Sequence, residues 1–140
     1  MAKPKRLNVA LIGYSFMGKA HSHAYRDVSM FFPNTGTEPV MKVICGRNKQ
    51  AVRQAADEFG WQEHDTSWRR VVAREDIDVV DICTPGNEHA RMAIAALNAG
   101  KHVICEKPLA NNLKEAREMQ KAAKRARRPR KTRIAPRASC

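Results

Sequence analysis

The sequence has 140 residues, enough for one domain with a sizeable core, and 43% of them are hydrophobic. No apolar run reaches the roughly 18 residues that a membrane span needs, so we do not expect a membrane protein. No signal-peptide pattern is present either, and we therefore expect a cytoplasmic location. The net charge of +12 would indicate a nucleic-acid-binding protein only if the charge lay on the folded part of the chain.

The excess basic charge lies near the C-terminus. Residues 1–120 contain 17 of the 26 basic residues and all 14 acidic residues, whereas residues 121–140 contain nine basic residues and no acid. We predict a folded domain over residues 1–120 and a disordered basic tail over residues 121–140, because the tail has no apolar periodicity. The tail also has no aromatic side chain to stack on bases, so nucleic-acid binding is not favoured. An electrostatic arm for nucleic acid or another acidic partner remains an alternative.

Strand and helix patterns alternate along the first 124 residues. Short apolar, often β-branched runs at 7–12, 40–45, 78–83 and 102–105 predict strands. Helical spacing of apolar residues predicts helices over residues 17–30, 49–59, 88–98 and 113–124, and a shorter helix after residue 67. This alternation predicts an α/β fold with a Rossmann-like, doubly wound parallel sheet. We expect the sheet to be incomplete, because no further strand pattern follows residue 124.

The first predicted strand ends at a glycine-containing turn. Gly13 follows the strand, Gly18 comes five residues later, and a helix begins there. Such a turn directs backbone N–H groups and the positive end of the helix dipole toward a phosphate. Ser15 stands where the usual Gly-x-Gly-x-x-Gly pattern has its second glycine. An ordinary strand-to-helix turn is the alternative interpretation.

Three more turns, at residues 45–48, 84–87 and 106–108, follow predicted strands. In an open parallel sheet, ligands bind outside the carboxyl ends of the strands. Arg47 follows the second strand, where NAD enzymes commonly have an acid, and its guanidinium suits a 2′-phosphate. This residue gives a slight preference for NADP over NAD, with a solvated surface arginine as the alternative. Asn87 could line a ligand site, cap its helix, or do both.

The cysteines and histidines do not form a metal-binding pattern. Cys45, Cys83 and Cys105 each end an apolar run, and the sequence has no Cys-x-x-Cys pair. His21 and His23 lie two positions apart on a predicted helix, so they point to different sides. We expect reduced thiols buried at the strand ends and no metal site.

The four turns together resemble the N-terminal half of the Gfo/Idh/MocA oxidoreductases, a family that includes glucose–fructose oxidoreductase and inositol dehydrogenase. The resemblance covers about residues 6–120 and is carried by residues 13–21, 84–89 and 100–110, with Glu-Lys-Pro at 106–108 as its most specific part. It implies that NAD or NADP is the cofactor, with the pyrophosphate at residues 13–18 and the nicotinamide beside residues 84–89. Together with Arg47, the expected cofactor-binding residues are Gly13, Ser15, Phe16, Met17, Gly18, Thr84, Pro85, Asn87, His89, Glu106, Lys107 and Pro108.

The resemblance also implies that Lys107 lies beside the nicotinamide and the substrate hydroxyl, and that a cis peptide commonly precedes Pro108. Lys107 is therefore the predicted catalytic residue. Its ammonium can polarise a carbonyl oxygen as hydride arrives, and a desolvated lysine can transfer a proton. A surface lysine in a turn is the alternative.

The family's second half, which binds substrate and usually contributes an aspartate and a histidine to catalysis, has no counterpart in the sequence. The parent activity implied is hydride transfer to or from a hydroxyl or carbonyl of a sugar or polyol. We expect this chain to bind NAD(P) weakly or not at all and to show no turnover; a non-catalytic NAD(P)-binding module is the alternative. The composition changes abruptly after residue 120, which leads to the hypothesis of a frameshifted or truncated reading frame, testable by translating the other two frames.

Overall fold

The computed structural model describes residues 3–127, which form five strands and six α-helical or 3-10 segments. All strand pairings are parallel, in the order β3-β2-β1-β4-β5. A 3-10 turn at Gly86–Glu88 precedes the fourth α-helix. The elements in chain order are β1 (Lys5–Ile12), α1 (Phe16–Phe31), β2 (Thr37–Cys45), α2 (Lys49–Phe59), β3 (Glu63–Asp65), α3 (Trp68–Ala73), β4 (Val79–Ile82), α4 (His89–Asn98), β5 (His102–Cys105) and α5 (Leu113–Ala126).

Starting from the central strand β1, the chain adds β2 and then β3 on one side of the sheet. It then crosses over and adds β4 and β5 on the other side, so the strand order reverses at β1. This is the doubly wound arrangement that the alternation of strands and helices predicts, and the prediction is confirmed. In such sheets the reversal leaves a crevice between the carboxyl ends of the two central strands. Here those strands are β1 and β4.

The sheet is covered on both faces, as β1 illustrates. Val9 and Leu11 face a cluster that includes Val52 of α2, whereas Ala10 and Ile12 face a cluster built from α3, α4 and α5. All four β1 residues are buried. A strand covered on both faces reads as a continuous apolar run, which is the pattern of residues 9–12.

Capping residues fix the ends of the second helix where the sequence predicts them. The Asn48 side chain accepts a hydrogen bond from the backbone N–H of Ala51 at 2.9 Å. Gly60 ends the helix in the left-handed conformation, with a φ of 86°. The predicted bounds of residues 49–59 therefore coincide with those of α2.

The last described helix, α5, ends at Ala126, two residues beyond its predicted end and past the domain boundary predicted at residue 120. Met119 and Ala122 lie on the buried face of this helix, and Ala122 is only 1% exposed. The predicted domain boundary follows the change in charge, whereas the predicted helix runs to residue 124. The rest of the predicted disordered tail, residues 128–140, lies outside the described residues.

The described cysteines are all free thiols. Cys45 and Cys83 are buried as expected, whereas Cys105 is only partly buried because β5 is the edge strand of the described sheet. Burial raises the pKa of the Cys45 thiol to about 12. Within residues 3–127, no helix has the length and apolar character to cross a bilayer.

Candidate functional site

A cleft of about 460 Å³ opens at the carboxyl ends of β1, β2 and β4, beside the reversal of strand order. Its walls come from the turns after these strands and from the loop that leads into α3. This is the edge of the sheet at which ligands of doubly wound folds bind. Of the predicted cofactor-binding residues, those that line it are Gly13, Ser15, Arg47, Thr84, Pro85 and Asn87.

Two glycines of the first turn are required by close contacts of the backbone. Gly13 has a φ of 105°, and a Cβ atom there would lie 2.7 Å from the carbonyl oxygen of Cys83. A Cβ atom on Gly18 would lie 2.1 Å from the carbonyl oxygen of Gly13. The first glycine therefore lets β1 turn beside β4, and the second lets α1 start directly against that turn.

The N-terminus of α1 faces the cleft with unpaired backbone donors. Its first intrahelical bond runs from Lys19 N–H to the Ser15 carbonyl at 2.9 Å, so the N–H groups of residues 16–18 have no helical acceptor. Ser15 occupies the N-cap position, but its side chain makes no capping hydrogen bond. The Phe16 side chain is 82% exposed, and Met17 packs against the core. These two residues can contribute to an anion site through their backbone and not through their side chains.

The other end of the cleft is aromatic and cationic. The ring of Tyr14 packs over Gly46, where a Cβ atom would lie 2.1 Å from a ring carbon. Trp68 has the guanidinium of Arg69 at 4.6 Å from its ring centroid. Arg47 is exposed and forms no salt bridge within residues 3–127. Arg47 is a predicted site residue, whereas no sequence pattern marks Tyr14, Trp68 and Arg69 as cleft residues.

Arg91 also reaches this end of the cleft. Its guanidinium lies 5.8 Å from the centroid of the Trp68 ring and forms an ion pair with Glu88. The ion pair offsets its charge, so Arg47 and Arg69 carry the uncompensated positive charge of this wall. An anionic group on a ligand would therefore be attracted to the side formed by Arg47 and Arg69.

His89 does not line the cleft, although the resemblance implied that it would. The side chain is fully buried at the start of α4. Its Nδ1 lies 2.8 Å from the carbonyl oxygen of Pro108, and its Nε2 lies 2.7 Å from that of Thr84. His89 therefore joins the turn after β4 to the turn after β5, and it fixes the cleft wall from behind.

The turn after β5 contains the Glu-Lys-Pro triplet. The peptide bond between Lys107 and Pro108 is cis, which confirms the expectation for this position. The backbone N–H of Glu106 donates to the Ile82 carbonyl at 3.0 Å, which anchors the turn to β4. Lys107 and Pro108 are exposed, and none of the three residues belongs to the lining of the cleft. The catalytic role of Lys107 stays a prediction.

A buried polar cluster lies beside this turn. Asp81 of β4 is 0% exposed and accepts hydrogen bonds from the Tyr25 hydroxyl at 2.7 Å and from Nδ1 of His21 at 2.8 Å. The other ring nitrogen of His21, Nε2, lies 3.0 Å from a carboxylate oxygen of Glu106. The cluster therefore connects α1 and the middle of the sheet to the Glu-Lys-Pro turn.

The protonation properties of the cluster follow from its burial and its charges. Burial by itself lowers the pKa of His21, but hydrogen bonds and attraction from Asp81 and Glu106 raise it above the ordinary histidine value. The hydrogen bond from His21 lowers the pKa of Glu106. Burial, followed by the charge of Asp81, raises the pKa of Cys83 well above the usual thiol range. Cys83 is therefore a thiol and not a thiolate at neutral pH.

One donor atom each from His21, Asp81 and Cys83 lies within 4.8 Å of the others. The sequence gives no sign of this grouping, because the three residues are distant from one another along the chain. The separations of 2.8 Å from His21 to Asp81, 3.3 Å from His21 to Cys83 and 3.7 Å from Cys83 to Asp81 are those of hydrogen-bonded groups. Hydrogen bonding accounts for the grouping.

Comparison with known proteins identifies the family. A family model named GFO_IDH_MocA and described as "Oxidoreductase family, NAD-binding Rossmann fold" matches residues 7–130. The chain belongs to this family. The resemblance inferred from the four turns is thereby confirmed, and so is the expectation of a nicotinamide dinucleotide as the cofactor class. The match also extends past residue 120, in agreement with the helical structure found there.

Relatives in the Gfo/Idh/MocA family include enzymes named for sugars. Levoglucosan dehydrogenase of Pseudarthrobacter phenanthrenivorans is 49% identical over 120 residues, which are 86% of this chain and 31% of that enzyme. D-apiose dehydrogenase of Paraburkholderia graminis is 34% identical over 122 residues, 87% of this chain and 30% of that enzyme. The chain thus spans about a third of the length of these relatives.

Solved structures agree with these matches. Levoglucosan dehydrogenase in complex with NADH and L-sorbose superimposes with a TM-score of 0.84 at 49% identity, covering 86% of this chain and 32% of that one. An oxidoreductase domain protein from Kribbella flavida gives a TM-score of 0.84 at 52% identity, covering 87% of this chain and 32% of that one. Both comparisons confirm the Rossmann-like fold.

Proposed function

We propose that this chain binds NAD(H) or NADP(H) in the cleft at the carboxyl edge of its sheet, as the cofactor-binding part of a sugar or polyol oxidoreductase. The observation that carries the proposal is the position of the cleft at the reversal of strand order, with the unpaired N–H groups of α1 beside it. A relative with 49% identity has a solved structure with NADH, which supports the choice of ligand.

The pyrophosphate is assigned to the N-terminus of α1. There the backbone N–H groups of Phe16, Met17 and Gly18 and the hydroxyl of Ser15 can donate to phosphate oxygens. The first turn of α1 contains no acidic residue that would repel the anion. Gly13 and Gly18 let the backbone of this turn pack closely against β4 and the start of α1.

The nicotinamide is assigned to the side of the cleft formed by Thr84, Pro85 and Asn87, with Lys107 nearby. When bound, the nicotinamide ring accepts or supplies the hydride. Lys107 would hold a proton at Nζ and donate a hydrogen bond to the substrate oxygen, which stabilises the charge that develops there. A carboxylate oxygen of Glu106 accepts from the backbone N–H of Lys107 at 3.1 Å and so orients the turn that carries this lysine.

A sugar or polyol is the proposed substrate class of the parent reaction, because the relatives are named for levoglucosan and D-apiose. Lys107 is exposed to solvent, and the chain spans about a third of those relatives. We therefore propose that the chain alone binds the dinucleotide without turnover. The same two observations favour a non-catalytic binding module as the second candidate. The proposed location is the cytoplasm, where free thiols such as Cys45 and Cys83 stay reduced.

A preference for NADP(H) is a separate part of the proposal. β2 ends in Cys45 and is followed by Gly46 and Arg47, so it offers no carboxylate to the ribose of NAD. Arg47 and Arg69 line the same wall of the cleft and can pair with a 2′-phosphate. Since an exposed ion pair contributes roughly 1 kcal/mol or less, we expect NADPH to bind about two- to fivefold more tightly than NADH.

Titration of the purified chain with NADH and NADPH, followed by nicotinamide fluorescence or calorimetry, tests both parts. We expect weak saturable binding, with a dissociation constant on the order of 0.1–1 mM. Arg47→Ala should reduce the preference for NADPH and leave NADH affinity unchanged. Arg53→Ala, which alters an exposed arginine of α2 outside the cleft, is the matched control.

Three results would count against the proposal. No binding of either dinucleotide would refute the assignment of the cleft. Equal affinities, or tighter binding of NADH, would refute the role of Arg47. Reduction of NAD⁺ or NADP⁺ by the purified chain with levoglucosan or any polyol would refute the absence of turnover.

A further inference from the structure

We infer that His21 is a positioning residue whose protonated ring ties the Glu106–Lys107 turn to the buried carboxylate of Asp81, and that loss of this proton releases the turn. The bridge spans α1, the middle of the sheet and the turn after β5. It is a property of the folded chain and does not depend on the proposed function. Only its effect on cofactor affinity rests on that function.

The buried end of the bridge is Asp81. This carboxylate is 0% exposed, in a strand that pairs with β1 on one side and β5 on the other. Within residues 3–127 its hydrogen-bond partners are the Tyr25 hydroxyl, the Cys83 thiol and the ring of His21. None of these is a lysine or arginine. A buried carboxylate is costly without compensating charge, so it favours a proton on the nearby imidazole.

The geometry of the ring leads to the same conclusion. Nδ1 of His21 lies 2.8 Å from Asp81 and Nε2 lies 3.0 Å from Glu106, so each ring nitrogen faces a carboxylate oxygen. A neutral imidazole has one N–H, whereas the imidazolium has two. Only the protonated ring can therefore donate to both ionised carboxylates. The raised pKa of His21 is in accord with this arrangement.

The carboxylate of Glu106 connects the His21 ring to the backbone of Lys107. One carboxylate oxygen of Glu106 contacts His21, and the other accepts from the backbone N–H of Lys107 at 3.1 Å. The side chain of Glu106 is thus held at both oxygens while its backbone is anchored to Ile82. Fixing this carboxylate fixes the direction of the peptide group from which Lys107 projects.

Loss of the proton acts on the exposed end of the bridge. A neutral His21 can donate to only one carboxylate, and its other nitrogen then places a lone pair against the second. Asp81 has no access to water, whereas the Glu106 side chain is 17% exposed and can be hydrated instead. When His21 loses its proton, Glu106 is therefore the carboxylate that loses its hydrogen bond to the ring. The ionisable groups that contact His21, or interact with its two carboxylates, are Asp81, Cys83, Glu106, Tyr25, Cys105 and Lys107.

An NMR titration of the full 140-residue chain tests the bridge without cofactor. We expect the His21 ring to titrate above the ordinary histidine midpoint, and Glu106→Gln to lower that midpoint by about one pH unit. Glu58→Gln, which changes an exposed glutamate of α2, is the matched control and should leave the His21 midpoint unchanged. An unchanged His21 midpoint in Glu106→Gln would overturn the inference.

The backbone amide of Lys107 reports positioning directly. Its resonance should shift with the same midpoint as His21, and this step should be absent in His21→Gln, which places a neutral side chain at that position. A Lys107 amide that does not respond to His21 titration would show that the histidine is merely structural.

Cofactor affinity provides the third measurement. NADH should bind more weakly as the pH rises through the His21 midpoint, and His21→Gln should show no such step. NADH binding that is constant across this range overturns the effect on the site. Absence of NADH binding at every pH refutes the proposed function instead, and the two NMR measurements still decide whether the bridge exists.

Discussion

Replacement of Gly18 by alanine tests whether the start of α1 packs on the first turn as described. The new Cβ atom would lie 2.1 Å from the carbonyl oxygen and 2.9 Å from the carbonyl carbon of Gly13. Because these are backbone atoms, relief requires α1 and the turn to separate by about 1 Å, and overpacking of this kind costs up to about 3 kcal/mol. The higher helix propensity of alanine relative to glycine offsets about 1 kcal/mol of this cost. We therefore expect Gly18→Ala to lower the free energy of unfolding by about 2 kcal/mol.

Urea denaturation, followed by far-UV circular dichroism and tryptophan fluorescence, measures this loss by linear extrapolation. Lys19→Ala is the matched control, since it changes the exposed neighbouring residue of the same helical turn and, with the loss of its contact to the Phe59 ring, should cost no more than about 1 kcal/mol. Gly18→Ala should also weaken dinucleotide binding, because it displaces the N–H groups of α1. A Gly18→Ala protein as stable as the Lys19→Ala protein would refute the close packing.

Two further predictions concern stability. Ser22→Ala removes the acceptor of the Trp61 indole N–H at 2.9 Å, and the unsatisfied buried donor should cost about 1–3 kcal/mol in urea denaturation; a neutral substitution would contradict this bond. Hydrogen bonds from Arg74 lower the pKa values of Glu63 and Asp76. Their contribution is therefore present above the unfolded-state pKa values and is lost as the pH falls through the folded-state ones. Arg74→Met should flatten the dependence of unfolding free energy on pH between about 3 and 5, and an unchanged slope would exclude this linkage.

Local sequence signals were enough to predict the alternation of elements and the turns that line the cleft. The bounds of α2 follow from an N-cap at Asn48 and a left-handed glycine at Gly60, both of which act on adjacent residues. Gly13 and Gly18 mark the first turn for a similar reason, because the contacts that require glycine are set by the turn itself. Such features need no knowledge of the tertiary structure.

The buried cluster could not be predicted in the same way, because its members are far apart in sequence. Asp81 lies in an apolar run that predicts a strand covered on both faces. A buried acid in such a strand needs polar side chains that bind its carboxylate, but the local sequence does not identify them. His21 lies 60 residues away in sequence from Asp81, and Glu106 lies 85 from His21. Only the parallel pairing of β1, β4 and β5 brings them together.

Two features of the structure depend on tertiary contacts that the local sequence patterns do not contain. His89 was expected in the cleft, but the carbonyl oxygens of Thr84 and Pro108 hold its ring inside the protein. The boundary at residue 120 rested on average composition, whereas Met119 and Ala122 form a buried stripe that continues α5. The spacing of apolar residues predicts this helix to residue 124, but the change in charge after residue 120 carries no information about its packing.

Amide chemical-shift mapping of the ¹⁵N-labelled chain with NADH tests most directly whether the carboxyl edge of the sheet binds the dinucleotide. We expect saturable shifts concentrated at residues 13–18, 45–47, 66–69 and 84–88, which surround the cleft. The amides of Gly36 and His102, at the opposite edge of the sheet, should not move. Shifts centred on that opposite edge, or no shifts at millimolar NADH, would contradict the account.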